Sequence, residues 1–324
     1  MTKLAISIAA ALAALIGAGN GWAQDPYPSR PIKLLVPFSA GGGIDILGRT
    51  LAQQLAETMK VAVVVENKPG ASGNIGTEAV AKAAPDGYTV LVTVNTIVMV
   101  PSMGKGAPYD PVKSFAPVAP LALGVLSLVT HPSVGGTSVR ELVDYAKANP
   151  GRMSYASPGS GTPHHLAMEL FKQRAGIDLL HVPYKGSAGF FTDVVGGQVQ
   201  AAFMPIHQAL PMVQAGKLRM LAAGGTRRSA VTPNVASLAE AAAISDIDVD
   251  MWYALYLPAG TPREVIARLN REVNAALKLP TVASTLSQQG LTPTGGTPEE
   301  LAALTANDLV RWAKVIRDGK IGDN

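Results

Sequence analysis

Two glycine-rich turns carry the most pointed chemistry in this chain. Pro37-Phe38-Ser39-Ala40-Gly41-Gly42-Gly43 and Ser157-Pro158-Gly159-Ser160-Gly161-Thr162 each follow an apolar, strand-like run and open an amphipathic helix. Such a turn presents bare backbone N–H groups at the positive end of a helix, an arrangement that holds anions. Two of them suggest one anion gripped from both sides, and the chemistry is carboxylate capture. The second turn adds the hydroxyls of Ser157, Ser160 and Thr162, with His164 and His165 in the first helical turn. Hydroxyls and N–H groups aimed at a carboxylate make charge-assisted bonds of roughly 1.5–3 kcal/mol net each. The same residues also read structurally, with Thr162 as a helix cap before Pro163 and His165 as a packed histidine. In the first turn Asp45 and Arg49, spaced i,i+4, brace the helix beneath; in an ordinary βα connection that surface pair contributes about 0.3–0.5 kcal/mol.

A third turn, Val182-Pro183-Tyr184-Lys185-Gly186-Ser187-Ala188, again leads into a helix. Its N–H groups from Gly186 to Ala188 would complete the anion cradle, and Asp193 would accept from a ligand hydroxyl or from the facing loop. Tyr184 and Lys185 read equally well as solvated rim residues.

Several chemistries are excluded by spacing. Gly41 and Gly43 would need a glycine at Ile46 for a dinucleotide fingerprint, and no Lys-Ser/Thr follows for a phosphate-binding P-loop. An exported hydrolase with Ser157 as nucleophile, His164 or His165 as base and Asp193 as orienter lacks the Gly-x-Ser-x-Gly elbow, because Tyr155 occupies the first glycine position. Adjacent histidines point about 100° apart on a helix, so His164 and His165 cannot share a metal ion. No cysteine is present, which removes disulfides, thiolate metal sites and a thiol nucleophile. No catalytic residue, metal or cofactor is expected.

The elements that must position these turns follow from hydrophobic period. Ile32–Val36 and 62–65 are continuous apolar runs, and Ile46, Leu47, Thr50, Leu51, Gln54 and Leu55 share one helical stripe. The alternation continues through a helix at 74–83, a strand at 89–94 and a proline-rich stretch from Pro101 to Pro120. A second series runs helix 138–148, strand 153–156, helix 164–175, strand 179–182, helix 188–195, strand 199–204 and strand 218–223. Buried strands separated by single helices give doubly wound α/β sheets, here two, with ligands at the carboxyl ends of the strands. Helical patterns after Pro262 and Pro298 pack back on the first unit and make it discontinuous.

At the start, Lys3, the apolar stretch Leu4 to Ile16 and the small-residue run ending at Ala23 have the order of a secretory signal peptide. Removal of residues 1–23 and a soluble periplasmic location are expected. The formal charge of +4 falls to +3 without Lys3, and no basic run or basic-aromatic patch fits nucleic acid. A chain of 324 residues with 48% hydrophobic composition can bury a large core in two domains.

Seven segments together resemble a known family: Tyr27-Pro28-Ser29-Arg30-Pro31, the Pro37-to-Arg49 segment, Glu66-Asn67-Lys68-Pro69-Gly70-Ala71, Pro85-Asp86-Gly87-Tyr88, Ser157-x-Gly159-x-Gly161-Thr162-x-x-His165-Leu166, His181-Val182-Pro183-Tyr184-Lys185-Gly186, and Trp252-Tyr253 with Pro258-Ala259-Gly260-Thr261-Pro262. In that order, over essentially the whole chain past residue 23, they resemble Bug-type (TctC-like) receptors, the extracytoplasmic solute-binding proteins of tripartite tricarboxylate transporters. The resemblance implies a two-lobed, periplasmic-binding-protein clamshell, with lobe 1 formed by 24–124 and 246–324 and lobe 2 by 125–245. It also implies a monomer that closes on a small carboxylate, often through ordered water, and delivers it to membrane permease subunits; a receptor feeding a membrane sensor kinase is the alternative readout. By similarity Phe38, Ala40, Gly41, Gly42 and Asp45 from one lobe, with Ser157, Gly161, Thr162 and His165 from the other, carry over to the ligand. Thr93, Asn95, Lys185, Gly186 and Asp193 line or support the cleft. The chain departs from the family at Gly189-Phe190-Phe191, where a proline is usual, and at Val94-Asn95-Thr96 and Val100-Pro101. Phe38 and Phe190 would offer ring faces, which leans toward an aromatic carboxylate; Phe190 as helix core is the other reading.

Overall fold

The computed structural model of the chain describes residues 27–104, 106–245 and 247–322. The expected signal peptide, residues 1–23, lies outside them. Eleven strands are described: β1 (Ile32–Val36), β2 (Val63–Asn67), β3 (Thr89–Val94), β4 (Phe115–Gly124), β5 (Leu126–Thr130), β6 (Ser154–Ser157), β7 (Leu180–Pro183), β8 (Ala201–Pro205), β9 (Arg219–Ala223), β10 (Met251–Pro258) and β11 (Leu291–Pro293). They form two sheets, ordered β11-β4-β10-β3-β1-β2 and β7-β6-β8-β5-β9. The first draws on strands before Gly124 and after Met251, the second on the chain between, so the polypeptide passes from one sheet to the other at Val125 and returns before β10.

The apolar runs became parallel strands, grouped toward one side of each sheet with β2 and β7 at its edge. β1 pairs in parallel with β2 and β3, and β6 with β7 and β8. The helix Gly43–Met59 lays Leu47, Leu51 and Leu55, all fully buried, on the first sheet, as its stripe requires. Yet both sheets are mixed: β10 runs antiparallel to β3 and β4, and β5 antiparallel to β8 and β9.

The strands absent from the sequence reading are β4, β5, β10 and β11, together with the helices Thr96–Met99, Ile206–Gln214, Leu238–Ala242 and Pro280–Gln288. Pro117 and Pro120 argue against a strand that is paired on both edges. β4 accommodates them because its register with β10 shifts between Tyr253 and Ala254 and between Leu255 and Tyr256, next to the two prolines. β10 itself, Met-Trp-Tyr-Ala-Leu-Tyr-Leu-Pro, is buried at every position and sits centrally in its sheet. The helices Arg263–Leu277 and Pro298–Asp318 pack against β4. The latter is tied to β10 by the Trp252 indole N–H donating to Asp308 Oδ2 at 2.7 Å and by a Tyr256–Thr305 hydroxyl pair at 2.6 Å. Among the described residues, no helix is long and apolar enough to cross a membrane.

Candidate functional site

Six helical segments begin at the carboxyl ends of parallel strands: after β1, β2 and β3 in one lobe and after β6, β7 and β8 in the other. Contacts between the lobes join these same edges. Ser72 Oγ donates to the Ser160 carbonyl at 2.6 Å. A Cβ on Gly161 would stand 3.2 Å from Val100 Cγ2, and one on Gly43 would stand 3.7 Å from the His207 ring. Each glycine-rich turn thus borders the interlobe crevice, the first opposite His207 and the second opposite Ser72 and Val100.

Among the described residues side-chain caps are found only away from this crevice, although the helices Arg263–Leu277 and Pro280–Gln288, also elsewhere, begin without one. Ser138, Ser237 and Thr297, which begin helices elsewhere, each accept a backbone N–H through the side chain, and the last two complete capping boxes with Glu240 and Glu300. At the crevice the residues preceding the six helical starts are Gly42, Gly73, Asn95, Thr162, Gly186 and Pro205, and none makes a side-chain cap bond. Asn95 and Thr162 carry side chains that cap well elsewhere. The sequence reading of Thr162 as a cap is therefore corrected: its hydroxyl turns away and donates to the Gly159 carbonyl at 2.6 Å. Ile206 N–H is spent on the Val125 carbonyl and Asn74 N–H on that of Ala71, but the other first-turn N–H groups at the crevice meet no capping side chain and can serve a ligand.

The first turn is held by charge. Gly41 N–H and Arg49 Nε both donate to Asp45 Oδ2 at 2.9 Å, while Asn67 Nδ2 donates to Asp45 Oδ1 at 2.9 Å and to the Phe38 carbonyl at 3.1 Å. Burial pushes the Asp45 carboxyl up, but hydrogen bonds from Arg49, Gly41 and Asn67 together hold it below the usual carboxylate range. Its oxygens are committed to the turn, so Asp45 shapes the loop that Ala40, Gly41 and Gly42 present. The Phe38 ring lies over Gly73, where an added Cβ would meet it at 3.0 Å.

The second turn is held by neutral rings. Gly161 N–H donates to His165 Nδ1 at 3.0 Å, and Ser157 Oγ pairs with His181 Nε2 at 2.7 Å. His165 and His181 stack at 4.0 Å between centroids, and His181 stacks on Tyr155 at 4.8 Å. The β6–β7 register that sets Tyr155 opposite His181 produces this pile. Tyr155 in turn donates to Glu169 Oε1 at 2.5 Å, which also accepts from Lys172 at 2.7 Å. Burial pushes His165 down to about 3, with His181 and then Lys172 adding; burial followed by Lys172 takes His181 to about 4. Both imidazoles are neutral at pH 7, as acceptors of a backbone N–H and partners of a hydroxyl must be.

In the third turn the Gly186 N–H donates to the Pro158 carbonyl, so it fastens the third turn to the second. Asp193 accepts from the Tyr184 hydroxyl at 2.6 Å, the loop-facing option of the sequence reading, and Lys185 is exposed. Thr93 and Asn95, at the end of β3, are fully buried, and Thr93 Oγ1 and Asn95 Oδ1 have no hydrogen-bond partner. Phe190 is core, wholly buried with Val129, Ala156 and Met204, so of the two rings named for an aromatic ligand only Phe38, half-buried beside Gly73, is left to offer a face. Among the described residues no group of three or more His, Cys, Asp or Glu is placed to hold a metal ion.

Sequence reasoning missed His181, His207, Tyr253 and Ser72. His207 and Tyr253 lie on elements it did not delineate. His181 was visible only as part of a motif, because its partner Ser157 is 24 positions away.

The sequence and its fold have clear relatives. Residues 47–321 match the family model described as the tripartite tricarboxylate transporter family receptor, TctC. Protein BugT of Bordetella pertussis is 35% identical over 320 residues, covering 98% of each chain. Among solved structures, R. palustris Rpa4515 with adipate superposes with a TM-score of 0.85 at 32% identity, covering 91% of this chain and 99% of its own. MatC from Rhodopseudomonas palustris with bound malate gives 0.82 at 28% identity, covering 90% of this chain and 100% of its own. The fold is accordingly that of a two-lobed solute-binding protein, and the chain belongs to the tripartite tricarboxylate transporter receptor family.

Proposed function

We propose that this chain is an exported periplasmic receptor that binds a small carboxylate between its lobes and delivers it to the permease subunits of a tripartite tricarboxylate-type transporter. The observation that carries the reading is the set of uncapped helix starts lining one crevice, two of them preceded by residues able to cap. A carboxylate is the ligand such N–H groups suit, and the relatives with adipate and malate support that class. The adipate and malate of those relatives favour aliphatic diacids over aromatic acids, and with Phe190 in the core Phe38 is the one ring left of the two named for an aromatic ligand. Binding needs no chemistry: a ligand that touches both lobes stabilises their closed arrangement by its differential contacts, and that arrangement is what a permease reads.

The Ser157–His181 contact at 2.7 Å is the one feature that favours a hydrolase instead. Against it, Ser157 is fully buried and its hydroxyl also engages Gly159, so no substrate carbonyl reaches it. Catalysis is not part of the proposed function.

A thermal-shift panel of C4 to C6 diacids, tricarboxylates, acidic amino acids and aromatic acids tests the reading. A cognate acid at 100 times its dissociation constant adds about 2.7 kcal/mol of stability. A melting temperature indifferent to every carboxylate would overturn the proposal, and ester turnover abolished by Ser157→Ala would replace it.

A further inference from the structure

Two imidazoles stand at the crevice that neither glycine-rich turn uses. His164 begins the helix Pro163–Ala175, and its Nδ1 is buried without a hydrogen-bond partner. Its ring meets the Phe190 ring edge-on, 5.8 Å between centroids. His207 begins the helix Ile206–Gln214 after β8, the strand that pairs with β6, so the two helix starts are neighbours at one sheet edge. Its Cε1 stands 3.7 Å from where a Cβ on Gly43 would lie, and the Tyr253 hydroxyl stands 3.9 Å from that same point. His207 therefore faces the first turn from the opposite lobe.

We propose that His164 and His207 form a proton-accepting subsite, so that a second anionic end of the ligand is bound together with a proton taken up by the pair. The proposal rests on the carboxylate-receptor reading and adds a specificity element to it. In the free protein burial holds both rings below the ordinary imidazole value, His164 at about 4, and His207 itself disfavours charge on His164. The Gln289 carbonyl pulls His207 the other way. A carboxylate placed against the pair favours the charged imidazole, and the proton it recruits offsets the anion's charge where no arginine is available within the turns. A ligand lacking that second end leaves the His164 nitrogen unpaired in a buried site.

Of the other ionisable groups on the surrounding elements, Asp250 just before β10 is pushed up to about 7 by burial and by Asp248 and keeps Oδ1 unpartnered, while its other oxygen accepts from Gly225; the rest are committed. Burial keeps the Tyr253 phenol protonated, Asp193 on the helix of Phe190 accepts from Tyr184, and Glu169 and Lys172 pair with one another. His165 and His181 are engaged in the stack behind the second turn.

Isothermal titration tests this with linear diacids of three to eight carbons, each matched to the monoacid of equal length, at pH 6.5 in two buffers of different ionisation enthalpy. The best diacid is expected to bind at least tenfold more tightly than its monoacid and to take up protons, whereas the monoacid takes up none. His207→Gln should bring the diacid down to the monoacid's affinity, abolish the proton uptake and leave the monoacid unchanged. His164→Gln, on a separate element, should act in the same direction, with melting curves confirming that each variant is folded. Equal affinity for diacid and monoacid, proton uptake that survives His207→Gln, or a His207→Gln loss shared by both acids overturns the subsite while leaving the receptor reading intact. Failure of every acid to bind overturns both.

Discussion

The two glycine-rich turns are held in shape by opposite physics. The turn at Gly41 is exposed and held by an ionic network of Asp45, Arg49 and Asn67; the turn at Gly161 is buried and held by stacked, uncharged imidazoles. A carboxylate brace suits a loop that water reaches, since Arg49 lies at the surface and its partner is hydrogen-bonded from several sides. In the proposed carboxylate receptor a buried loop facing the anion gains more from acceptors that carry no charge, because a fixed negative charge there would repel the ligand. The difference implies that the two halves of the crevice fail under different conditions.

Acid should expose that difference with the largest effect. His165 titrates near 6.5 when unfolded and at about 3 in the fold, so the unfolded chain binds the extra proton throughout that interval. Stability therefore falls as pH drops from about 6.5 toward 3, by on the order of 4 kcal/mol for this one group. Asp45, held below its ordinary value, contributes stability that is lost only as pH falls through and below roughly 4. The second turn should loosen first. Urea unfolding at pH 7, 5.5 and 4.5, with the Gly161 and Gly41 amide resonances followed separately, checks the order; a flat stability profile from pH 7 to 5, or earlier loss of the Gly41 signal, breaks the comparison.

Glycine-to-alanine changes probe the same pair at smaller amplitude. Gly41 and Gly161 both have left-handed backbones, φ +85° and +79°, where a Cβ costs about 1–2 kcal/mol. At Gly41 nothing lies within 4 Å of the added carbon, so Gly41→Ala should pay only that strain. At Gly161 the carbon would press on Val100 of the other lobe at 3.2 Å. Gly161→Ala should therefore weaken ligand binding beyond its effect on stability, by tenfold or more in calorimetry, and equal ligand-binding losses at the two sites would remove the distinction.

How much of this was legible in the sequence depended on how local each signal was. The turns were readable because glycine, serine and threonine after an apolar run report their own backbone, and β1, β3 and the helix Gly43–Met59 because their periodicity is self-contained. β4 was hidden by Pro117 and Pro120, whose bulges make sense only beside β10. β10 is apolar on both faces and carries no alternation to separate strand from buried helix. The helix that presents His207 contains Pro211, which disguises its period. The His165–His181 stack required knowing that β6 and β7 pair in register, a fact no single segment contains.

Side chains whose bonds are spent and those whose bonds are open should also respond differently. Ser157 and Thr162 use their hydroxyls within the second turn, so Ser157→Ala should cost about 1–3 kcal/mol of stability by stranding His181 Nε2, with the ligand effect following from loosened geometry. Thr93→Val removes a hydroxyl that has no partner. Its stability should stay level or rise, while affinity for a cognate acid falls about tenfold if that hydroxyl serves the ligand, equivalent to roughly 1.4 kcal/mol. Melting curves and calorimetry on the same samples separate the two, and a Thr93→Val variant that is destabilised yet binds normally would place the hydroxyl in the fold instead.

The smallest effect belongs to the contact that joins the turns' surroundings across the crevice. Ser72 Oγ donates to the Ser160 carbonyl at 2.6 Å, and Ser72 itself sits at φ +53°, so its backbone is held in the left-handed region for a serine. That hydrogen bond exists only while the lobes meet, so its net value of about 0.5–1.5 kcal/mol counts toward closure and not toward the folding of either lobe. Ser72→Ala should leave the unfolding of each lobe unchanged, shift the ligand-free chain toward a more open arrangement in small-angle scattering, and weaken the ligand by no more than about tenfold. Unchanged scattering together with lowered thermal stability would mean that Ser72 supports its own loop, and the crevice would then be closed by ligand contacts and apolar packing at Gly161 and Val100 alone.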